Sequence, residues 1–143
     1  MSEPEPREPR RDDFRVRRAL PTRWADDDAY GHVNNVVHYA MFDTAINGWL
    51  MESTGTDIRT LPAIGLVVET SCRYFAELSF PEVVTAGIAL EKLGTSSVVY
   101  RLALFGTDEL PAATGRFVHV YVDRDTRRPA PVPEVIRAAL AAL

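Results

Sequence analysis

The chain has 143 residues, 46% of them hydrophobic, which suits one compact domain with a real core. Its formal net charge is −4 with acidic and basic residues interspersed, so it lacks the basic footprint of a nucleic-acid binder, and no apolar run is long enough to span a bilayer. One cysteine, Cys72, excludes an internal disulfide and fits a reducing compartment, and the start "MSEPEPREPRRDDF" has no apolar signal region, so a soluble cytoplasmic protein is expected.

Residues 1–12, Pro-rich and of mixed charge, are expected to form a disordered tail, with residues 13–143 as a single domain. A short strand is expected from about Phe14 to Thr22. Then "NNVVHYAMFDTAINGWLMES", residues 34–53, predicts a helix with Asn34 as N-cap and Gly55 just past its end. Apolar residues from Val36 to Leu50 cover most of it, so the helix should be buried on nearly all sides. Four runs with a period of two follow, over 64–78, 83–92, 96–105 and 116–122. The patterning groups Leu66, Val68, Thr70, Cys72 and Tyr74 on one face, and likewise Val118, Val120 and Val122. The joints "SFPE", "KLGTS" and "GTDELP" are short, so successive runs should pair antiparallel. The final "PEVIRAALAAL" reads as a short helix beginning at Pro133. The fold class is α+β, one hydrophobic helix on a curved antiparallel sheet.

The chemistry concentrates just ahead of the long helix, in "RWADDDAYGHVNN", Arg23 to Asn35. Three adjacent aspartates are of little use to a core, because charged groups are costly to bury unless paired. Such a triplet is ordinarily a solvated turn or a capping cluster. The helix behind it supplies free N–H groups and the positive end of a dipole, which suit a developing oxyanion. Gly31 allows a tight turn there, and His32 titrates near neutrality. No His, Cys and Asp grouping has metal-ligand spacing, so neither a metal nor a cofactor is expected; His38 and His119 carry no motif.

The stretch "RWADDDAYGHVNNVVHYAMFDTA" resembles the signature of hotdog-fold acyl-CoA thioesterases of the 4-hydroxybenzoyl-CoA thioesterase type: D-x-D-x-x-G-H-V-N-N, then a tyrosine and F-[ED]-x-A. "YFAELSFPEVVTAGIALEKLGTSSVVYRLALF" and "VYVDRDTRRPAPVPEVIRAAL" resemble its later strands and terminal helix, so the likeness covers roughly residues 14–142. The resemblance implies the hotdog fold, a homodimer or homotetramer with sites at subunit interfaces, and hydrolysis of an acyl-CoA to free acid and CoA. It makes Asp28 the catalytic carboxylate, as base or nucleophile, and the Asn35 backbone N–H the group that polarises the thioester carbonyl. Some relatives place a histidine at the Asn35 position, so a histidine-assisted route is not expected here. His32 is read as a hydrogen-bonded support, Asp26 as structural, and Asp27 as solvent-exposed. Asp43 matches the helix acid and is read as a salt-bridge partner; Glu69 lies on a strand face. The L-G-x-S-S hairpin points to Thr95, Ser96 and Ser97 at the nucleotide end of CoA, with Lys92 less specific. Arg124, Arg127 and Arg128 are read as a solvated turn. Trp49, Tyr39, Tyr74 and Phe75 line the acyl pocket or belong to the core. The alternatives are a non-catalytic acyl-CoA sensor, a thioesterase acting on acyl-carrier protein, and a hydratase or dehydratase, whose different signature is not found.

Overall fold

The long helix forms where the sequence supplies both of its ends. In a computed structural model, which describes residues 9–143, helix α1 runs Asn35–Thr54. The Asn34 side chain accepts from the Val36 N–H at 3.0 Å, and Gly55 terminates the helix at φ 62°, a conformation that favours glycine. Met41, Phe42, Ala45, Ile46, Trp49 and Leu50 face the core. The helix is not buried all round, as its composition predicts. Val36, Ala40, Asp43 and Thr44 are exposed in the single chain, so part of one face is open.

Five strands curve around α1: β1 (Val16–Pro21), β2 (Ala63–Tyr74), β3 (Val83–Leu93), β4 (Ser97–Phe105) and β5 (Ala113–Asp123). All pairings are antiparallel, in the order β1-β3-β4-β5-β2. The hairpins β3–β4 and β4–β5 pair as their short joints require. The run containing β2 does not pair with its successor. It pairs with β5, and residues 75–82 carry the chain across to β3. That crossing is tied to the acidic loop: the Val33 N–H donates to the Leu78 carbonyl at 2.7 Å, and Thr22 donates through N–H and Oγ1 to the Glu82 carbonyl. Helix α2 (Glu134–Leu140) follows Pro133 and packs Ile136 and Leu140 beside α1.

Two strand faces differ from the patterning. In β5 Phe117, His119 and Tyr121 are buried, while Val118 and Val120 are only partly covered; of the three valines grouped by the patterning only Val122 is buried. The register explains this, since Val98 opposes His119 and Tyr100 opposes Phe117, which puts all four on the core side. In β2 the register slips between Val67 and Glu69. A bulge adds one residue and reverses the alternation, so Ala63 and Gly65 share their face with Cys72 and Tyr74, and Leu66 does not.

Part of the expected tail lies against the sheet. Arg11–Asp13 forms a 3₁₀ turn, and the Arg11 guanidinium donates to Thr85 Oγ1, to the Gly106 carbonyl and to the Asp108 carbonyl. Phe14 sits on the outer face of the sheet with Ala103 and Phe105, in a cluster separate from the main core. The remainder of the expected tail, residues 1–8, lies outside the described residues.

Candidate active site

The acidic loop is built by its own side chains. The buried Asp26 carboxylate accepts from the Arg23 N–H at 2.7 Å and from the Arg23 guanidinium at 2.8 and 3.0 Å, which closes a 3₁₀ turn at Trp24–Asp26. Its carbonyl accepts from the Asn34 N–H, so the loop starts and ends on one residue. This is the structural role read from the sequence. Asp27 departs from the expectation of free exposure: it is half-buried, and its Oδ1 accepts the Phe80 N–H at 3.0 Å, holding the 75–82 crossing. The reason is that the crossing leaves backbone donors that need acceptors.

Asp28 stands at the mouth. Its Oδ1 accepts the Tyr30 N–H at 2.9 Å, its backbone N–H donates to the His32 carbonyl, and its own carbonyl accepts from the Gly31 N–H. Gly31 has φ +83°, with open space where a Cβ would lie, so its requirement is conformational and not steric. Among the described residues nothing donates to the second carboxylate oxygen of Asp28. His32 Nε2 lies 2.9 Å from Glu77 Oε2.

Asp28, His32, Asn35, His38, Tyr74 and Glu77 line one cleft of about 230 Å³. Asn35 is the first residue of α1, so its N–H has no carbonyl one turn back to receive it. The cleft thus sets a half-buried carboxylate facing a helix N-terminus, the pair of groups an acyl transfer requires: one to bring in an oxygen, one to receive the negative charge.

Two residues here have no place in the motif reading. His38 is buried, its Nδ1 lies 3.2 Å from the Asn34 carbonyl, and its ring meets Tyr74 edge-on at 4.8 Å. Burial pushes its pKa below the ordinary histidine value. The Tyr74 hydroxyl donates to the Asn35 carbonyl at 2.9 Å. The signal for His38 is its position four residues after the N-cap, one turn into the helix; Tyr74, read as pocket or core, is 39 residues from its partner, and nothing in the sequence pairs the two.

Other expected residues lie elsewhere. Thr95, Ser96 and Ser97 sit at the far end of β3, whose eleven residues span roughly 36 Å at about 3.3 Å each. There the Thr95 carbonyl accepts from Val132 and Arg137, and the Ser96 carbonyl from Tyr121. Lys92 follows the β3–β4 register shift and is exposed. Asp43 is exposed and accepts from Asn47 on its own helix, with no salt bridge to another element among the described residues of the single chain. Glu69 pairs with Arg116 at 3.8 Å, on the face away from the cleft. Arg124 donates to the Arg59 carbonyl and, with Asn47, His119 and Tyr121, lines a separate cavity of about 240 Å³. Arg127 and Arg128 belong to the turn after β5, where Asp123 Oδ1 accepts two N–H groups. Trp49 is core, Tyr39 is partly buried and stacks on Phe117, and Phe75 is exposed under Arg73. Among the described residues no three His, Cys, Asp or Glu side chains gather where a metal could be held.

One long helix against a curved five-stranded antiparallel sheet, with an acidic loop leading into the helix, is the hotdog arrangement. Residues 22–140 match the family model of the thioesterase-like superfamily; the chain belongs to that superfamily and is a thioester hydrolase. The PA5185 protein of Pseudomonas aeruginosa PAO1 is 48% identical, with 96% of each chain covered and a TM-score of 0.91. Slr0204, a 1,4-dihydroxy-2-naphthoyl-CoA thioesterase from Synechocystis, is 17% identical over 91% of this chain and 96% of its own, with a TM-score of 0.81. SAV2348 from Staphylococcus aureus, solved in complex with CoA, is 20% identical over 87% of this chain and 80% of its own, with a TM-score of 0.79. At these last two identities the likeness is one of fold. Among curated protein sequences none matches.

Proposed function

We propose that this protein hydrolyses an acyl-CoA to the free acid and CoA, using Asp28 and the Asn35 N–H. The observation that carries the reading is their meeting in one cleft, with an oxygen of Asp28 left without a donor among the described residues. The thioester carbonyl points at the start of α1, where the Asn35 N–H and the helix dipole take up the oxyanion charge. Asp28 either removes a proton from the attacking water or attacks the carbonyl itself; both routes break the C–S bond and end with an acid and a thiol. Gly31 holds the loop turn, and His32, bonded to Glu77, supports the cleft wall. The chemistry needs neither metal nor cofactor.

The carrier is read as CoA, in keeping with the CoA bound to SAV2348 on the same fold. The working unit is read as a homodimer or homotetramer. β2 is an edge strand, and Leu66, Val67 and Val68 on it are 39%, 45% and 59% exposed, a long apolar edge that invites pairing. Two-fold pairing of β2 with its copy reverses strand direction, so the start of the partner's β2 comes beside Tyr74. The start of β2 neighbours the end of β5, which neighbours Ser97. The Thr95–Ser97 hairpin distant from the cleft within one chain is therefore carried toward the cleft of the other, where CoA contact is read. Among the described residues no helix is long and apolar enough to cross a membrane; a cytoplasmic location is read from the single cysteine.

The test is hydrolysis of a panel of acyl-CoA and acyl-carrier-protein thioesters, with and without a chelator. Turnover of CoA esters unaffected by the chelator supports the reading. Turnover of carrier-protein esters alone overturns the choice of carrier, and tight acyl-CoA binding without turnover overturns the enzymatic reading.

A further inference from the structure

We propose that His38 and Tyr74 are positioning residues that clamp the first two peptides of α1 and so aim the Asn35 N–H at the thioester, with His38 also polarising it. The proposal rests on the oxyanion role given above to the Asn35 N–H.

A carbonyl oxygen can only accept, so the 3.2 Å contact from His38 Nδ1 to the Asn34 carbonyl puts the hydrogen on Nδ1. The Asn34 carbonyl and the Asn35 N–H are opposite ends of one planar peptide. A donor on the carbonyl fixes that plane and, through bond polarisation, strengthens the N–H at its other end. The Val37 N–H donates to the same oxygen at 2.9 Å, so this carbonyl carries both a backbone and a side-chain donor. Tyr74 does the same for the next peptide: its hydroxyl holds the Asn35 carbonyl, whose partner N–H is that of Val36. The Val36 N–H is already taken by the Asn34 side chain, which leaves the Asn35 N–H as the donor the clamp presents.

The two clamping side chains also brace one another, ring edge to ring face at 4.8 Å. They come from different elements. Tyr74 ends β2, so its bond ties the helix start to the sheet edge; His38 lies within the helix and is buried beneath it. A helix N-terminus held only by its own turn would fray at the end that has to receive charge.

The experiment compares Tyr74→Phe, His38→Phe and His38→Gln with the unmodified enzyme. Complete removal of an oxyanion donor costs about 10²–10³ in kcat. Loosening one should cost less, about 5–30-fold in kcat, with KM within about threefold because ground-state contacts are kept. His38→Gln, which retains a side-chain N–H, should recover most of the loss. The Asn35 amide resonance, followed by ¹⁵N NMR without substrate, should shift in both phenylalanine variants and return toward its original position in His38→Gln. Should His38→Phe not fold, Tyr74→Phe, at an exposed strand end, carries the test alone. Near-normal kcat in Tyr74→Phe and His38→Phe overturns the clamp, as does a loss confined to KM. If Asp28→Asn is inactive while both clamp variants are normal, the clamp fails and the proposed reaction stands; if Asp28→Asn is also normal, the reaction itself fails.

Discussion

Phe14 lies in a stretch whose composition suggests the border of a tail, yet the structure makes it a wedge. It is 4% exposed, its ring meets Phe105 edge-on at 6.0 Å, and it covers Gly87 so closely that a Cβ there would lie 2.5 Å from its Cγ. Phe14→Ala should cost about 3 kcal/mol, the low end for buried phenylalanine because its cluster is small. Gly87→Ala alone should cost about 1–3 kcal/mol, bounded above by expulsion of the ring. With Phe14 already alanine the obstruction is gone, and Gly87→Ala should be neutral or stabilise by about 0.5 kcal/mol, since glycine loses more freedom on folding. At about 3 °C per kcal/mol for a chain of this size, Tm falls by roughly 9 °C for Phe14→Ala. Thermal melts of the four proteins give the coupling energy directly. Gly87→Ala equally harmful in both backgrounds would refute the wedge, and a loss under about 0.5 kcal/mol for Phe14→Ala would mean that Phe14 adds little to the fold.

Val68, the exposed bulge residue of β2, should tolerate lysine in the folded chain but not at a paired edge; light scattering of Val68→Lys should show a smaller species with reduced turnover, and an unchanged mass would place the subunit contact elsewhere. Burial holds both His38 and His119 below the ordinary histidine value of 6.5, so the unfolded chain binds more protons and their contribution to stability, full above about pH 6.5, is lost as pH falls through that value. Tm should therefore drop between pH 7.5 and pH 5, and His119→Phe should flatten the slope; an unchanged slope would mean that His119 does not set it. The buried His119 Nε2 has no partner among the described residues, so the same variant should not lower Tm at pH 7.5.

Much of this was legible before any coordinates. The Asn34 cap, the Gly55 stop and the apolar face of α1 fix the helix, and the alternation in β3 and β4 stands out because Thr85, Gly87 and Arg101 interrupt it. β5 was not legible in the same way. "FVHVYV" is apolar on both faces, and the histidine, which reads as polar, is on the buried one. Nor does a sequence announce a bulge at Val67, or that β2 pairs with β5 across some 50 residues instead of with its neighbour β3. In the site, the loop motif found Asp28, His32 and Asn35, because a continuous segment builds that wall. The opposite wall is Tyr74, at the end of β2, and Glu77, in the crossing; the sequence offers Tyr74 only as pocket or core and gives no sign of Glu77.

In the proposed reaction the Asp28 charge does the chemistry and the neighbouring aspartates do not. Asp28→Asn keeps the oxygen that accepts from the Tyr30 N–H, so the loop should hold while the base or nucleophile is removed. Asp27→Asn likewise keeps the acceptor for the Phe80 N–H and serves as the neighbouring control. Measured by release of CoA thiol from an acyl-CoA that the unmodified enzyme turns over, Asp28→Asn should lose about 10²–10⁴-fold in kcat with KM little changed, while Asp27→Asn stays within about twofold. Near-normal turnover by Asp28→Asn, or an equal loss in both variants, would contradict the account.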